Sequence, residues 1–392
     1  MSDSTTLNPA AMMADATTMT GGLTDFGDPS FRPGLDKLCT ALDAEATLSD
    51  MGRGFMRHKL VTQLANRLRV EDWFRRHPEI ADEPIDAPVV IVGVPRTGTT
   101  KLHRLLSRDP RFHWMAFWES QFPVPLDGES LTDPSPRVQA GQELVDMMTT
   151  AMPGLMAIHP MATEEADEEV MLTEHSFLSA FNAYANIPSY MQWLDAQDQT
   201  PVYEYLKRMM KFLQWQKRQR GITAQRWVLK APHHLLRMDI LLKVFPGTQI
   251  IHTHRDPTQS VPSMASFAHT LWGIYSDHAD PLATGREWND ILSRALTHTM
   301  RVRENVPDQF IDVQFIDTVK RPMEVVQRLY TFMGLTLDAA TEQRMRDWLV
   351  EDEKSHQGGH HYSAEQFGLS DDQIRRDFAA YIEQHTKTPT AA

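Results

Sequence analysis

Pro88-Val89-Val90-Ile91-Val92-Gly93-Val94-Pro95-Arg96-Thr97-Gly98-Thr99-Thr100 joins an apolar, β-branched run to a turn of Gly, Pro and Thr. The run reads as a buried parallel strand. Leu102, Leu105 and Leu106 give the segment that follows one apolar face, as in an amphipathic helix. Strand, tight turn and helix form the layout of a phosphate-binding loop, because the turn's N–H groups and the helix N-terminus together favour an anion. Gly93 and Gly98 fit the first part of G-x-x-x-x-G-K-[ST], but Thr99 stands where a nucleoside triphosphatase places its lysine. The cation is instead Arg96, inside the turn. The stretch therefore predicts a phosphate held without the usual triphosphate and magnesium machinery; its plain alternative is a strand-to-helix turn that happens to contain Gly.

Working outward, the strand-like segments are few and three of them are closed by a charged residue. Phe112 to Trp118 is an apolar run closed by Glu119, and Arg226-Trp227-Val228-Leu229 is closed by Lys230, with Ala231-Pro232-His233-His234 after it. Thr248 to His254 ends in Arg255-Asp256-Pro257, and Asp308 to Phe315 reads as the last strand. Ligands in open α/β sheets bind beyond the carboxyl ends of the strands, so Glu119, Lys230 and Arg255 become site candidates. Ser263 lies eight residues after Arg255, across a strand-to-helix junction, from which a guanidinium and a hydroxyl can meet one anion.

The remaining chain reads as helix and loop. Residues 1–30 are rich in Thr, Ser, Ala, Met, Gly and Asp and read as a flexible tail. Residues 31–392 read as one α/β domain: a parallel sheet flanked by helices, a helical N-terminal region from Leu35 to His77, and a helical insertion over about 134–221. The basic run Arg53, Arg57, His58 and Lys59 reads as a solvated helix face. The insertion carries three apolar faces, Leu144/Met147/Met148/Met152, Phe177/Phe181/Tyr184 and Tyr205/Met209/Phe212/Leu213, which are either core or the wall of an apolar acceptor pocket. Within it, Glu164-Glu165-Ala166-Asp167-Glu168-Glu169 matches no EF-hand spacing and reads as a helix start capped by Thr163. The loop His356-Gln357-Gly358-Gly359-His360-His361-Tyr362 offers donors that suit closure over an anion better than a metal site, with a plain surface loop as the alternative.

Bulk properties exclude several classes. A formal charge of −13 argues against nucleic acid as the main partner, so any anionic ligand has to meet local cations. Cys39 is the single cysteine, which rules out an internal disulfide and a cysteine-rich zinc site. No stretch approaches the roughly 20 apolar residues of a membrane span, and Met1 to Gly22 lacks the pattern of a secretory signal. A soluble cytoplasmic protein is expected, and oligomeric state is unreadable.

Three of these segments, in this order, together resemble the sulfotransferase family, in particular the branch of tyrosylprotein sulfotransferases and bacterial small-molecule sulfotransferases. They are Pro95-Arg96-Thr97-Gly98-Thr99-Thr100, Leu229-Lys230-Ala231-Pro232-His233-His234, and His254-Arg255-Asp256-Pro257 with Ser263. The resemblance is clear over roughly residues 88–120 and 226–268 and loose elsewhere. It implies a P-loop-like α/β fold that uses 3′-phosphoadenosine 5′-phosphosulfate, with no metal, to sulfate a hydroxyl of a small molecule; the Trp-, Phe- and Met-rich insertion points to an apolar acceptor. It places the 5′-phosphosulfate on Arg96, Thr97, Gly98, Thr99 and Thr100, and the 3′-phosphate on Arg255 and Ser263. Gly358, Gly359 and His360, in the loop read above as closing over an anion, join the candidate cofactor-binding residues. Arg96 and Lys230 would stabilise charge on the leaving phosphate. For the general base two positions remain open: Glu119 after the second strand, or His233 and His234 after the lysine. The competing readings are a small-molecule or nucleotide kinase with an atypical loop, and a binding protein that has lost turnover.

Overall fold

The computed structural model describes residues 6–151, 161–355 and 362–386. Five parallel strands form the central sheet: β1 Val89–Val92, β2 Phe112–His113, β3 Arg226–Lys230, β4 Gln249–His254 and β5 Phe310–Gln314. Their order is β2-β3-β1-β4-β5, with Ile91 opposite both Lys230 and Ile251. Because the pleat alternates sides, β1 feeds two cores at once. Val89 and Ile91 pack with Leu102, Leu105 and Leu106 of the following helix, whereas Val90 and Val92 join the large N-terminal and insertion core. All four residues are fully buried, which is why the strand is continuously apolar.

The helices flanking the sheet follow the expected order, and among the described residues none is long and apolar enough to cross a membrane. Phe31–Glu45 and Asp50–Arg76 make up the N-terminal helical region. The cations of its basic run are partly tied down: Arg53 pairs with Asp43, Arg57 with Asp15 and Lys59 with Glu174. The insertion contains helices Ser135–Ala151, Val170–Thr173, Pro188–Asp195 and Thr200–Gln219.

Three expectations need correction. The segment read as a flexible tail contains a helix, Pro9–Met19, which Asn8 caps by accepting from the Ala11 N–H. Met12 and Ala16 are completely buried, so two apolar positions anchor a sequence whose composition looks unstructured. The second strand is only two residues long, and Glu119 lies on a helix, Phe117–Gln121, that follows it. Finally, the acidic run starts no helix at Thr163. Ala166 bridges to Ala116, the Asp167 N–H donates to the Met115 carbonyl, and the next helix begins only at Val170. Pairing with the chain after β2 wins over helix propensity there, and the Thr163 hydroxyl donates to Gln142 instead. The loop 356–361, with Gly358, Gly359 and His360, and Met152 lie outside the described residues.

Candidate active site

The turn after β1 is shaped by close approach. A Cβ on Gly93 would lie 2.1 Å from the Thr253 hydroxyl and 2.7 Å from that of Thr97, so no side chain fits there. Gly98, at φ 84°, takes the left-handed conformation that opens the Thr99–Leu106 helix. Arg96 takes the same region at φ 68°, an uncommon place for a residue with a side chain and a common one in ligand-binding turns. Thr97 is spent on the fold. Its hydroxyl donates to the Val94 carbonyl at 2.7 Å and lies 2.6 Å from the Thr253 hydroxyl, leaving its backbone N–H as its contribution to an anion.

Lys230 sits at the carboxyl end of β3, on the face that also carries Val228 and looks toward the helix after the turn. Its ammonium donates to the Thr100 hydroxyl at 3.3 Å and to the Glu168 carboxylate at 2.5 Å. Lys230 is 2% exposed, while the Glu168 side chain retains 20%. Next to this pair, Glu169 accepts from the Lys230 N–H at 2.9 Å and pairs with the Nε2 of His234. The other ring nitrogen of His234 lies 2.8 Å from the Tyr203 hydroxyl. Burial alone would raise the Glu169 carboxyl, but the hydrogen bond and charge of His234, with His233 and the Lys230 N–H, bring it down to about 2. His234 is therefore occupied on both nitrogens. Neither ring nitrogen of His233 has a hydrogen-bond partner, and burial together with the nearby His234 pushes its pKa well below the ordinary imidazole value.

Glu119 is held elsewhere. Its carboxylate accepts from Lys217 at 2.7 and 2.6 Å and from Arg220 at 2.9 Å, with the Ala116 N–H at 3.0 Å. Lys217 and Arg220 end the helix that leads into the start of β3. Burial acts to raise the Glu119 carboxyl, but the two cations hold it below its ordinary value. Saturated with donors and 1% exposed, the Glu119 carboxylate has no open approach for an acceptor hydroxyl.

Arg255 closes the other side of the turn. It donates to the Arg96 carbonyl at 2.8 Å and to Gln259 at 2.9 Å, and lies over the Phe315 ring at 4.2 Å. A cavity of about 380 Å³ opens beside it, lined also by Thr258, Gln259, Pro262, Tyr362 and Asp371. Ser263 follows Pro262 in the Pro257–Tyr275 helix and is 2% exposed. The structure thus gathers Arg96, Thr100, Lys230 and Arg255 around one end of the sheet, while Glu119 is closed off by Lys217 and Arg220.

The model of the sulfotransferase family matches residues 88–339, from the first residue of the opening strand stretch to past β5. The chain belongs to the sulfotransferase family. As such it is an enzyme that transfers sulfuryl groups, which sets the kinase and binding-protein readings aside. Curated relatives include omega-hydroxy-beta-dihydromenaquinone-9 sulfotransferase Stf3 of Mycobacterium bovis, 27% identical over 318 residues that span 78% of this chain and 77% of the relative. Sulfotransferase STF1 of Mycobacterium tuberculosis superposes with a TM-score of 0.80 at 30% identity, covering 95% of this chain and 98% of that one. Sulfotransferase STF9 of Mycobacterium avium reaches 0.86 at 25% identity, covering 97% of both. The similarity to these two solved structures extends through the N-terminal helices and the insertion, where sequence resemblance alone is loose.

What sequence reading missed in this sulfotransferase is the place of Glu168 and Glu169 beside Lys230. The available signal was the density of the run, five carboxylates in six residues. Helix-start statistics gave those acids a local explanation and hid a tertiary one.

Proposed function

We propose that this sulfotransferase uses 3′-phosphoadenosine 5′-phosphosulfate as donor and sulfates a hydroxyl on an apolar, lipid-like acceptor, with Glu168 as general base. The observation that carries the proposal is the contact of one ammonium, Lys230, with both Thr100 of the phosphate turn and the partly open Glu168. The donor supplies the sulfuryl group and a phosphate leaving group. The N–H groups from Arg96 to Thr100 and the Thr99 and Thr100 hydroxyls suit its 5′ end. Arg255 and Ser263 flank the place for its 3′-phosphate, a fork and a hydroxyl next to an open cavity.

The chemistry then divides among the side chains. Glu168 accepts the proton of the acceptor hydroxyl as the oxygen–sulfur bond forms. Lys230, released from Glu168 as that carboxylate is neutralised, meets the charge that builds on the phosphate oxygen as the sulfur–oxygen bond to it breaks. Arg96 adds a second cation on the loop. Glu169, His234 and Tyr203 fix the end of β3 and with it the position of Lys230.

An apolar acceptor is supported by a separate small cluster, Phe117, Val145, Met161 and Leu271, with Leu144, Met148 and Phe267 half-buried around it. This cluster adjoins the acidic run, since the Phe117 N–H donates to the Glu165 carbonyl at 3.1 Å. The other two apolar faces of the insertion are core: Phe177, Phe181, Met209 and Phe212 are fully buried. The menaquinone-derived substrate named for the Stf3 relative belongs to the same chemical class, an apolar molecule carrying one terminal hydroxyl.

The test is a thermal-shift comparison of adenosine 3′,5′-bisphosphate with Mg–ATP, followed by sulfate transfer to a panel of long-chain alcohols. A ligand at 100 times its Kd stabilises the native state by about 2.7 kcal/mol. Stabilisation by the bisphosphate and transfer to the apolar alcohols are expected; stabilisation by Mg–ATP alone would overturn the donor.

A further inference from the structure

A second cluster of polar side chains lies in β4 and β5, and the sulfuryl-transfer chemistry has no use for it. His252 and His254 are two apart on β4, so the pleat turns both rings to one face. Asp312 of β5 is the register partner of His252 and brings a carboxylate to the same place. One ligand atom from each of the three lies within 4.8 Å of the others. A pair of histidines alternating on one strand, with a third ligand from the neighbouring strand, matches the donor set of a three-ligand zinc site.

Two further observations point to a ligand. His252 is completely buried, and neither of its ring nitrogens has a hydrogen-bond partner. Buried polar groups are nearly always paired, so an orphaned imidazole calls for an explanation such as a bound ion. The outer contacts are also those that orient metal ligands. The His254 Nδ1 lies 2.9 Å from the Tyr381 hydroxyl, which leaves Nε2 aimed at Asp312, 2.7 Å away. Arg303 donates to both oxygens of Asp312 at 2.6 and 2.7 Å. His385, from the C-terminal segment, stacks on His254 with ring centroids 4.4 Å apart, and its Nε2 is also unpartnered.

We propose that His252, His254 and Asp312 bind a divalent transition metal of the zinc type, with His385 beside the open position. Binding moves the Asp312 oxygen off His254, whose Nε2 gives up its proton to solvent and takes the metal in exchange. Arg303 keeps its hold on the carboxylate. The expectation that sulfuryl transfer itself needs no metal is untouched, because this site is structural. It ties β4, which runs directly into Arg255, to β5 and to the C-terminal residues Tyr381 and His385.

The experiment uses the full chain stripped with a chelator, titrated with zinc chloride and, separately, with cobalt(II) to read visible ligand-field absorption. One metal per chain, a cobalt spectrum of tetrahedral or five-coordinate N/O type, and a higher Tm with zinc are expected. His252→Phe, which keeps the core filled, is expected to fold and to bind roughly 100-fold more weakly or not at all. His298→Ala, which breaks the exposed His298–Asp239 pair, is expected to bind as the parent does. The proposal is overturned if the stripped parent takes up no metal. It is equally overturned if His252→Phe binds zinc with the parent's affinity, or if the cobalt spectrum is that of the hexa-aquo ion.

Discussion

Two lysine–glutamate pairs lie beside the chain that follows β2, and they differ in how far they are closed. In one, Lys217 and Glu119 are joined by Arg220, and the Glu119 side chain is 1% exposed. In the other, Lys230 at the end of β3 and Glu168 share their surroundings with a hydroxyl of the phosphate turn, and Glu168 keeps a fifth of its surface open. The first pair neutralises charge where a helix feeds into the sheet. The second leaves a carboxylate partly open beside the phosphate turn. An acid–base pair becomes a site when one member keeps a free approach, whereas complete satisfaction marks a structural role.

The sharpest way to break this contrast is to remove each carboxylate in turn. Glu168→Gln is expected to lower kcat by about 100- to 10,000-fold with little change in the Kd of adenosine 3′,5′-bisphosphate. Glu119→Gln is expected to leave kcat within a few-fold while costing about 3–5 kcal/mol of stability, read by urea unfolding, because Lys217 and Arg220 lose their buried partner. If Glu119→Gln abolished turnover in a well-folded protein while Glu168→Gln did not, the two pairs would exchange roles.

A smaller effect is expected at the nucleotide. Arg255→Ala removes a charge-assisted fork worth about 1.5–3 kcal/mol, so the Kd for the bisphosphate should rise about 10- to 150-fold by calorimetry. Adenosine 5′-phosphosulfate, which lacks the 3′-phosphate, should bind the parent and the variant alike. Equal weakening toward both nucleotides would move Arg255 from the 3′-phosphate to the 5′ end.

The mildest test concerns a carboxyl that lies apart from both pairs. Burial raises Glu287 to about 7, even though the Asn182 amide donates to it at 2.9 Å. Its folded pKa lies above the unfolded value of about 4.3, so the native state holds the proton more tightly. That contribution is fully present below about pH 4.3 and is lost as pH rises through about 7. Glu287→Gln is therefore expected to be more stable than the parent at pH 8, by about 1–3 kcal/mol. The difference should shrink toward pH 5, measured by urea unfolding at each pH.

Much of the frame was legible because it is local. The β-branched run of β1, the Gly93–Gly98 turn, Lys230 at a strand end and Arg255 before Pro257 are each set by short-range rules of strand, turn and helix start. The C-terminal ends of parallel strands share one edge, so these residues had to meet. The N-terminal helix Pro9–Met19 escaped notice since only Met12 and Ala16 anchor it fully, too few apolar positions to mark a pattern. The acidic run escaped because carboxylates favour helix starts and no sequence rule announces that residues 165–167 pair with the chain after β2.

The sequence by itself determined the family, the phosphate turn, and the cations placed at the strand ends, because those features depend on residues within a few positions of one another. Only the tertiary structure decided which carboxylate stands at Lys230. Glu119, His234 and Glu168 lie more than a hundred, four and about sixty positions from that lysine. Proximity between such segments is fixed by how the insertion folds over the sheet. His234, the nearest along the chain, is closed off by Tyr203 and Glu169, while Glu168 is the one left open.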